Sequence, residues 1–168
     1  ACDVGVESTV IDMTLDVPCV LRPGGVTPQM IEDVIGGVCI SEAVTRHTED
    51  AVALSPGMKY RHYSPKARLI LVKGSACAFA EFVNKSKEKD IGAMCFDGEQ
   101  HALRVPYITY GRRDNAAEQA KRVFDALRKL EQMDVDVVYC ACPDREGMGL
   151  AVYNRLLRAA GFEVISLD

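Results

Sequence analysis

Residues 55–65 read Ser-Pro-Gly-Met-Lys-Tyr-Arg-His-Tyr-Ser-Pro, the densest run in the chain of groups able to do chemistry. Two prolines and a glycine deny the run a regular helix, while Lys59, Tyr60, Arg61, His62 and Tyr63 mix cations with aromatic rings. Lys and Arg match the charge of phosphate or carboxylate, and Tyr and His can stack on a base or donate a hydrogen bond. A plain linker is built from Gly, Ser, Pro or charges of one sign. Two readings therefore stand. The simpler on residue types alone is an ordered connector whose rings pack on both neighbours; the other is a surface made to touch an anionic, ring-bearing ligand.

Three further places carry reactive or binding groups. Glu7-Ser8-Thr9 puts two hydroxyls on a strand, where they are commonly surface or cross-strand pairs, or else donors to a carboxylate or phosphate in a cleft. Arg22, just before Pro23-Gly24, could fix a phosphate or end a strand in solvent. The loop 141–150 follows a strand and opens a helix, the position at which open α/β sheets take ligands. Arg145 there favours an anion, but Asp144 and Glu146 oppose one, and the glycines do not spell the dinucleotide fingerprint. This loop is read as a structural turn. His47 and His101 sit in polar, irregular surroundings and are expected in solvent, and neither a nucleophilic triad nor a Walker loop occurs.

The elements that position these groups can be read from periodicity. Residues 7–12 and 18–22 predict an antiparallel hairpin, followed by a short helix capped by Thr27, entered at Pro28 and stopped at Gly36-Gly37. Two strands and a helix make a poor core, so this part must dock on the rest or belong to a larger sheet. Residues 41–54 show no sustained period and are read as a flexible or partly extended connection. From Arg68 onward, apolar strands at 68–72, 91–96, 105–109, 135–140 and 163–166 alternate with helical patterns at 74–86, 115–130 and 149–160. Asn115 and Glu118 have the spacing of a capping box. The expected fold class is α/β: an open, mostly parallel Rossmann-like sheet with helices on both faces, preceded by a partial α+β segment and a long linker.

The 168 residues carry a net charge of −4 and an ordinary globular composition, 48% hydrophobic and 26% charged. Bulk electrostatics do not support strong direct binding of nucleic acid, so any anion site is local. Seven scattered cysteines without a C-x-x-C pair read as small buried hydrophobes in a reducing cytosol rather than metal ligands. No apolar run is long enough to span a membrane, and the expected location is cytoplasmic.

In order along the chain, residues 5–12 (Gly-Val-Glu-Ser-Thr-Val-Ile-Asp), 21–24 (Leu-Arg-Pro-Gly) and 55–65 resemble the two-domain threonylcarbamoyl-AMP synthases of the YrdC family. Residues 146–160 look like that family's accessory Rossmann-like domain. The resemblance implies three parts: 1–40, the end of a YrdC-like catalytic domain; 41–67, a linker and lid; and 68–168, the accessory domain. It implies synthesis of threonylcarbamoyl-AMP and pyrophosphate from L-threonine, bicarbonate and ATP, for threonylcarbamoyladenosine modification of tRNA. The ATP would be a substrate carrying Mg2+ on its phosphates, with no tightly bound cofactor. It implies Ser8 and Thr9 at the threonine end of the cleft, and Arg22 and Tyr63 near ATP. Lys59, Tyr60, Arg61 and His62 would complete the lid, and other proteins would carry the threonylcarbamoyl group on to tRNA. The family's upstream nucleotide-binding segment is not among these residues, so the chain alone is expected to be inactive. The alternative is an α/β module that senses a nucleotide or docks a partner without catalysis of its own.

Overall fold

The computed structural model describes residues 4–46 and 65–167. The first part is a small sheet of β1 (Val10–Asp12), β2 (Cys19–Arg22) and β3 (Cys39–Ile40), with helix α1 (Pro28–Ile35) between the last two. As the sequence predicts, β1 and β2 are antiparallel. Their register shifts between Val10, opposite Arg22, and Ile11, opposite Val20, so β2 holds one extra residue there. Such a bulge re-aims the side chains beside it. Thr27 caps α1 by accepting from the Met30 amide at 3.3 Å, and Gly36 closes it at φ 79°, a conformation that favours glycine.

Two features of this part were not legible. β3 pairs with β2 in parallel, and Cys19 lies opposite Cys39, to which it is joined as a disulfide. That corrects the reading of every cysteine as a free buried thiol: two residues 20 apart in sequence become partners only through strand register. Cys95 and Cys140 do behave as core hydrophobes, and burial pushes the Cys95 thiol up to about 12. Second, the expected flexible connection begins with a packed 3-10 turn, Glu42–Val44, in which Ala43 and Val44 are buried. Residues 47–64, including His47, lie outside the described residues.

The larger part is a five-stranded parallel sheet with helices on both faces, in agreement with the expected fold class. Its strands are β4 (Arg68–Lys73), β5 (Ile91–Cys95), β6 (Tyr107–Thr109), β7 (Val137–Ala141) and β8 (Val164–Ser166), in the order β6-β5-β7-β4-β8. The helices are α2 (Ala76–Asn84), α3 (Ala116–Leu130) and α4 (Met148–Ala159). The chain leaves β4 in one direction along the sheet and leaves β6 and β7 in the other. Right-handed crossovers then place α2 on one face and α3 with α4 on the opposite face. Covered on both faces, β4, β5 and β7 are apolar through their interiors.

Asn115 caps α3 by accepting from the Glu118 amide at 3.0 Å. Glu118 does not close the capping box on Asn115; it accepts from the Arg112 amide at 3.3 Å and from Arg122 at 2.9 Å. Arg122 ties α3 to the strand ends, giving Asp97 two hydrogen bonds at 2.5 and 3.2 Å and Thr109 Oγ1 one at 3.1 Å. The Arg122 guanidinium holds the Asp97 carboxyl below its ordinary value. Both side chains are about a third exposed, so the pair is worth only about 1 kcal/mol. A group with a depressed folded pKa stabilises above its unfolded pKa, about 3.9, and loses that contribution as pH falls through the lower folded value. Asp97→Asn is therefore expected to cost about 1 kcal/mol at pH 7, and the gap to the unaltered chain to narrow between pH 7 and pH 3. Urea denaturation at both pH values measures it, and a gap unchanged at pH 3 would contradict the assignment.

Candidate substrate-binding site

The small sheet does not stand apart from the large one. Val6 is 5% exposed and belongs to the same hydrophobic core as β4, β7 and α4. Gly5, at φ 83°, lies so close to α3 that a Cβ there would come within 2.4 Å of the Lys121 backbone. The main fastening comes from α4, which is buried from Gly149 to Leu157. Its two polar members in that span, Asn154 and Arg155, face the docked segment. Asn154 Nδ2 donates to the Val44 carbonyl at 2.7 Å and Oδ1 accepts from Arg155 Nη1 at 2.9 Å. Arg155 Nε pairs with the Glu7 carboxylate, and Nη2 donates to the Pro23 carbonyl at 3.2 Å. One turn on, Arg158 reaches the Ala43 carbonyl at 3.2 Å, and burial together with the nearby Arg155 charge lowers its pKa.

This clasp grips both segments that carry the candidate residues. Arg22, beside the β-bulge, turns back over the strand that enters β1 and donates to the Ser8 carbonyl from Nε at 3.2 Å and from Nη2 at 3.0 Å. Nη2 also reaches Ser8 Oγ at 3.3 Å. Ser8 and Arg22 are therefore brought together, with Ser8 exposed. Thr9 is engaged elsewhere, since its hydroxyl donates to the Val26 carbonyl at 2.6 Å and so holds the turn before α1. Its lone pairs remain acceptors, so Thr9 is less suited than Ser8 to donate to a carboxylate. Gly24 lies against the same strand, where a Cβ would stand 2.3 Å from the Glu7 carbonyl oxygen. A hydroxyl and a guanidinium thus stand side by side, on a backbone clamped from behind, in a chain of net negative charge. Lys59, Tyr60, Arg61, His62 and Tyr63 lie outside the described residues.

Sequence reasoning named Ser8 and Arg22 but not Glu7 or the Asn154-Arg155 pair as their support. The signal was present: an adjacent Asn and Arg inside an otherwise apolar helix must meet polar partners when that helix is buried all round. Which partners those are is a tertiary fact.

Comparison with known proteins shows the family to which the chain belongs. Residues 26–161 match the family described as threonylcarbamoyl-AMP synthase, C-terminal domain. The chain is 41% identical over 170 residues to the threonylcarbamoyl-AMP synthase of Pyrococcus abyssi, covering 98% of this chain and 48% of that protein. It is 34% identical to the synthase of Bacillus subtilis, covering 96% of this chain and 47% of that one. The crystal structure of the P. abyssi protein complexed with L-threonine superposes with a TM-score of 0.82 at 37% identity, over 99% of this chain and 49% of that chain. A P. abyssi variant with an adjacent histidine and tyrosine replaced by alanine gives a TM-score of 0.84 at 36% identity, over 98% of this chain and 48% of that one. The chain thus spans about half the length of the relatives it matches, and it belongs to the family of threonylcarbamoyl-AMP synthase C-terminal domains.

Proposed function

We propose that this chain is the C-terminal half of an L-threonylcarbamoyladenylate synthase, supplying one wall of the cleft, its lid and its accessory domain. The observation that carries the reading is the Ser8–Arg22 corner, clamped by α4 in a fold whose relative has been solved with L-threonine bound. In the reaction the amine of threonine and bicarbonate lose water to form a carbamate. A carbamate oxygen then attacks the α-phosphorus of ATP, the bond to the β-phosphate breaks, and pyrophosphate leaves. Ser8 is suited to donate to the threonine carboxylate, and Arg22 to neutralise charge shared by carboxylate, carbamate and phosphate. Mg2+ would arrive on the triphosphate.

Lys59, Tyr60, Arg61, His62 and Tyr63 are assigned to a lid that covers the cleft and shields a labile intermediate from water, with Tyr63 toward the nucleotide. The adjacent His–Tyr pair replaced in the solved P. abyssi variant has one counterpart in type here, His62-Tyr63, the sole adjacent His–Tyr pair in the sequence. The outward face of the small sheet and α1 supports a missing wall: α1 buries none of its residues, and Met30, Val34 and Ile35 are exposed. The product would pass to other proteins that complete the tRNA modification.

The test is pyrophosphate release in a full-length parent, made to depend on both L-threonine and bicarbonate. Arg22→Ala is expected to lower kcat/KM for threonine about 100-fold. The 168-residue chain alone is expected to release none. Threonine-independent release by the parent, or an active Arg22→Ala variant, would refute the reading.

A further inference from the structure

A second site lies at the carboxyl edge of the parallel sheet. β4 and β7 are neighbours, yet the chain leaves β4 toward β5 and leaves β7 toward β8, in opposite directions. Their connecting helices lie on opposite faces, so a crevice opens between the two strand ends. It is the position where open α/β sheets take ligands. A cavity of about 480 Å³ occupies it, walled by residues 73–75, by residues 142–146 and by Arg113. That volume falls within the range of small-molecule sites.

Three cations from three separate places in the chain line the cavity: Lys73 at the end of β4, Arg113 in the loop after β6 and Arg145 in the loop after β7. Both guanidiniums are seated on rings. Arg113 lies 4.5 Å over Phe96 and Arg145 lies 4.2 Å over Tyr153, and both rings are buried. Stacking fixes the plane of each guanidinium while its N–H edges stay able to hydrogen-bond. Arg113 is also ion-paired with Glu99, to which Nε donates at 2.6 Å and Nη2 at 3.2 Å, which fixes its position and offsets part of its charge. The floor is rigid: the buried Tyr110 hydroxyl donates to the Ala141 carbonyl at 2.6 Å, and the Cys142 amide donates to Val72 at 3.0 Å. Burial raises the Cys142 thiol; Arg145, Lys73 and Arg113 act against that rise and Asp144 adds to it.

Asp144 and Glu146, also lining the cavity, decide the kind of ligand. A bare anion meets repulsion from them as well as attraction from the cations. A ligand with a phosphate at one end and hydroxyls at the other satisfies both signs, because carboxylates accept from hydroxyls. We propose that the crevice between β4 and β7 binds a phosphorylated ribonucleoside, with its phosphate on Lys73, Arg113 and Arg145 and its ribose hydroxyls on Asp144 and Glu146. None of these residues belongs to the Ser8–Arg22 corner, so the site stands whether or not the synthase reading does. The loop 141–150, which the sequence alone presents as a turn, then becomes one wall of a ligand site.

The experiment is calorimetric titration of the 168-residue chain with AMP and, separately, with inorganic phosphate. AMP is expected to bind in the submillimolar range and phosphate at least 10-fold more weakly, as an order of magnitude for a site reading both ends of the ligand. Arg145→Ala and Lys73→Ala should each weaken AMP about 5-fold or more, Asp144→Asn should weaken AMP but not phosphate, and Arg128→Ala, an exposed cation on α3 outside the cavity lining, should change neither. Amide shifts on AMP addition to the unaltered chain should centre on residues 73–75 and 142–146, which keeps the test decisive should a variant unfold. Three results would overturn the proposal: no AMP binding at about 10 mM, well above the range expected for such a site; AMP bound no tighter than phosphate; or AMP binding lost in Arg128→Ala but kept in Arg145→Ala.

Discussion

Arg155→Ala is expected to release residues 4–46 from α4 while leaving the five-stranded sheet folded. The Arg155 side chain is 6% exposed and holds Glu7, the Pro23 carbonyl and Asn154 at once. Removing one member of a buried charged pair commonly costs about 3–5 kcal/mol, because the partner is left without compensation. Glu7 is 37% exposed and can turn to water, which lowers the expected cost to about 2 kcal/mol. That corresponds to a change of about 30-fold in the docking equilibrium. Amide hydrogen exchange should show it as roughly 30-fold faster exchange over residues 5–9, with the interiors of β4 and β7 unchanged. Glu7→Gln keeps an acceptor for Arg155 and should cost less. In a full-length synthase the same Arg155→Ala change should raise the KM for threonine more than that for ATP, because Ser8 is the group it positions. Unchanged protection over residues 5–9 would show that apolar packing at Val6 and Gly5, not the charged clasp, does the docking.

Gly24→Ala is expected to be the most damaging methyl addition near the candidate site. A Cβ at Gly24 would stand 2.3 Å from Glu7 O, 2.5 Å from Thr9 N and 2.6 Å from Ser8 C. All three are backbone atoms, so no side chain can swing aside. The turn must instead lift away from the strand that carries Ser8, pulling Arg22 off Ser8 with it. Overpacking of this kind costs about 1–3 kcal/mol, and a displacement of about 1 Å at a reacting centre can lower rates 100-fold. Gly25→Ala is the matched control: its new Cβ would meet Val4 Cγ1 at 2.7 Å, the tip of an exposed side chain that can rotate. The expected result in a full-length synthase is a loss of about 100-fold in threonine-dependent pyrophosphate release for Gly24→Ala, and less than about 3-fold for Gly25→Ala. Equal behaviour of the two variants would mean that the contact between Gly24 and the Glu7–Thr9 backbone has no bearing on the site.

The sequence by itself determined whatever depends on neighbours along the chain. Apolar strands alternating with helical periods specified the α/β sheet, because a strand covered on both faces cannot alternate polar and apolar residues. Thr27, Pro28 and Gly36 marked one helix, and Asn115 opened another, because caps satisfy local backbone groups. The candidates Ser8 and Arg22, together with the resemblance they carry, were also legible in order along the chain. Tertiary structure alone decided what depends on distance through space. Strand register made partners of Cys19 and Cys39, and a bulge brought Arg22 to Ser8. The burial of α4 on all sides forced Asn154 and Arg155 to find Val44, Pro23 and Glu7, more than 100 residues earlier in the chain. The strand order put Lys73 and Arg145, 72 positions apart in the numbering, on two walls of one crevice. Local pattern specifies which elements form, because their hydrogen bonds and caps close within a few residues. Which elements meet is set by how the packed faces bury apolar area and satisfy buried charge, and that is a property of the whole fold.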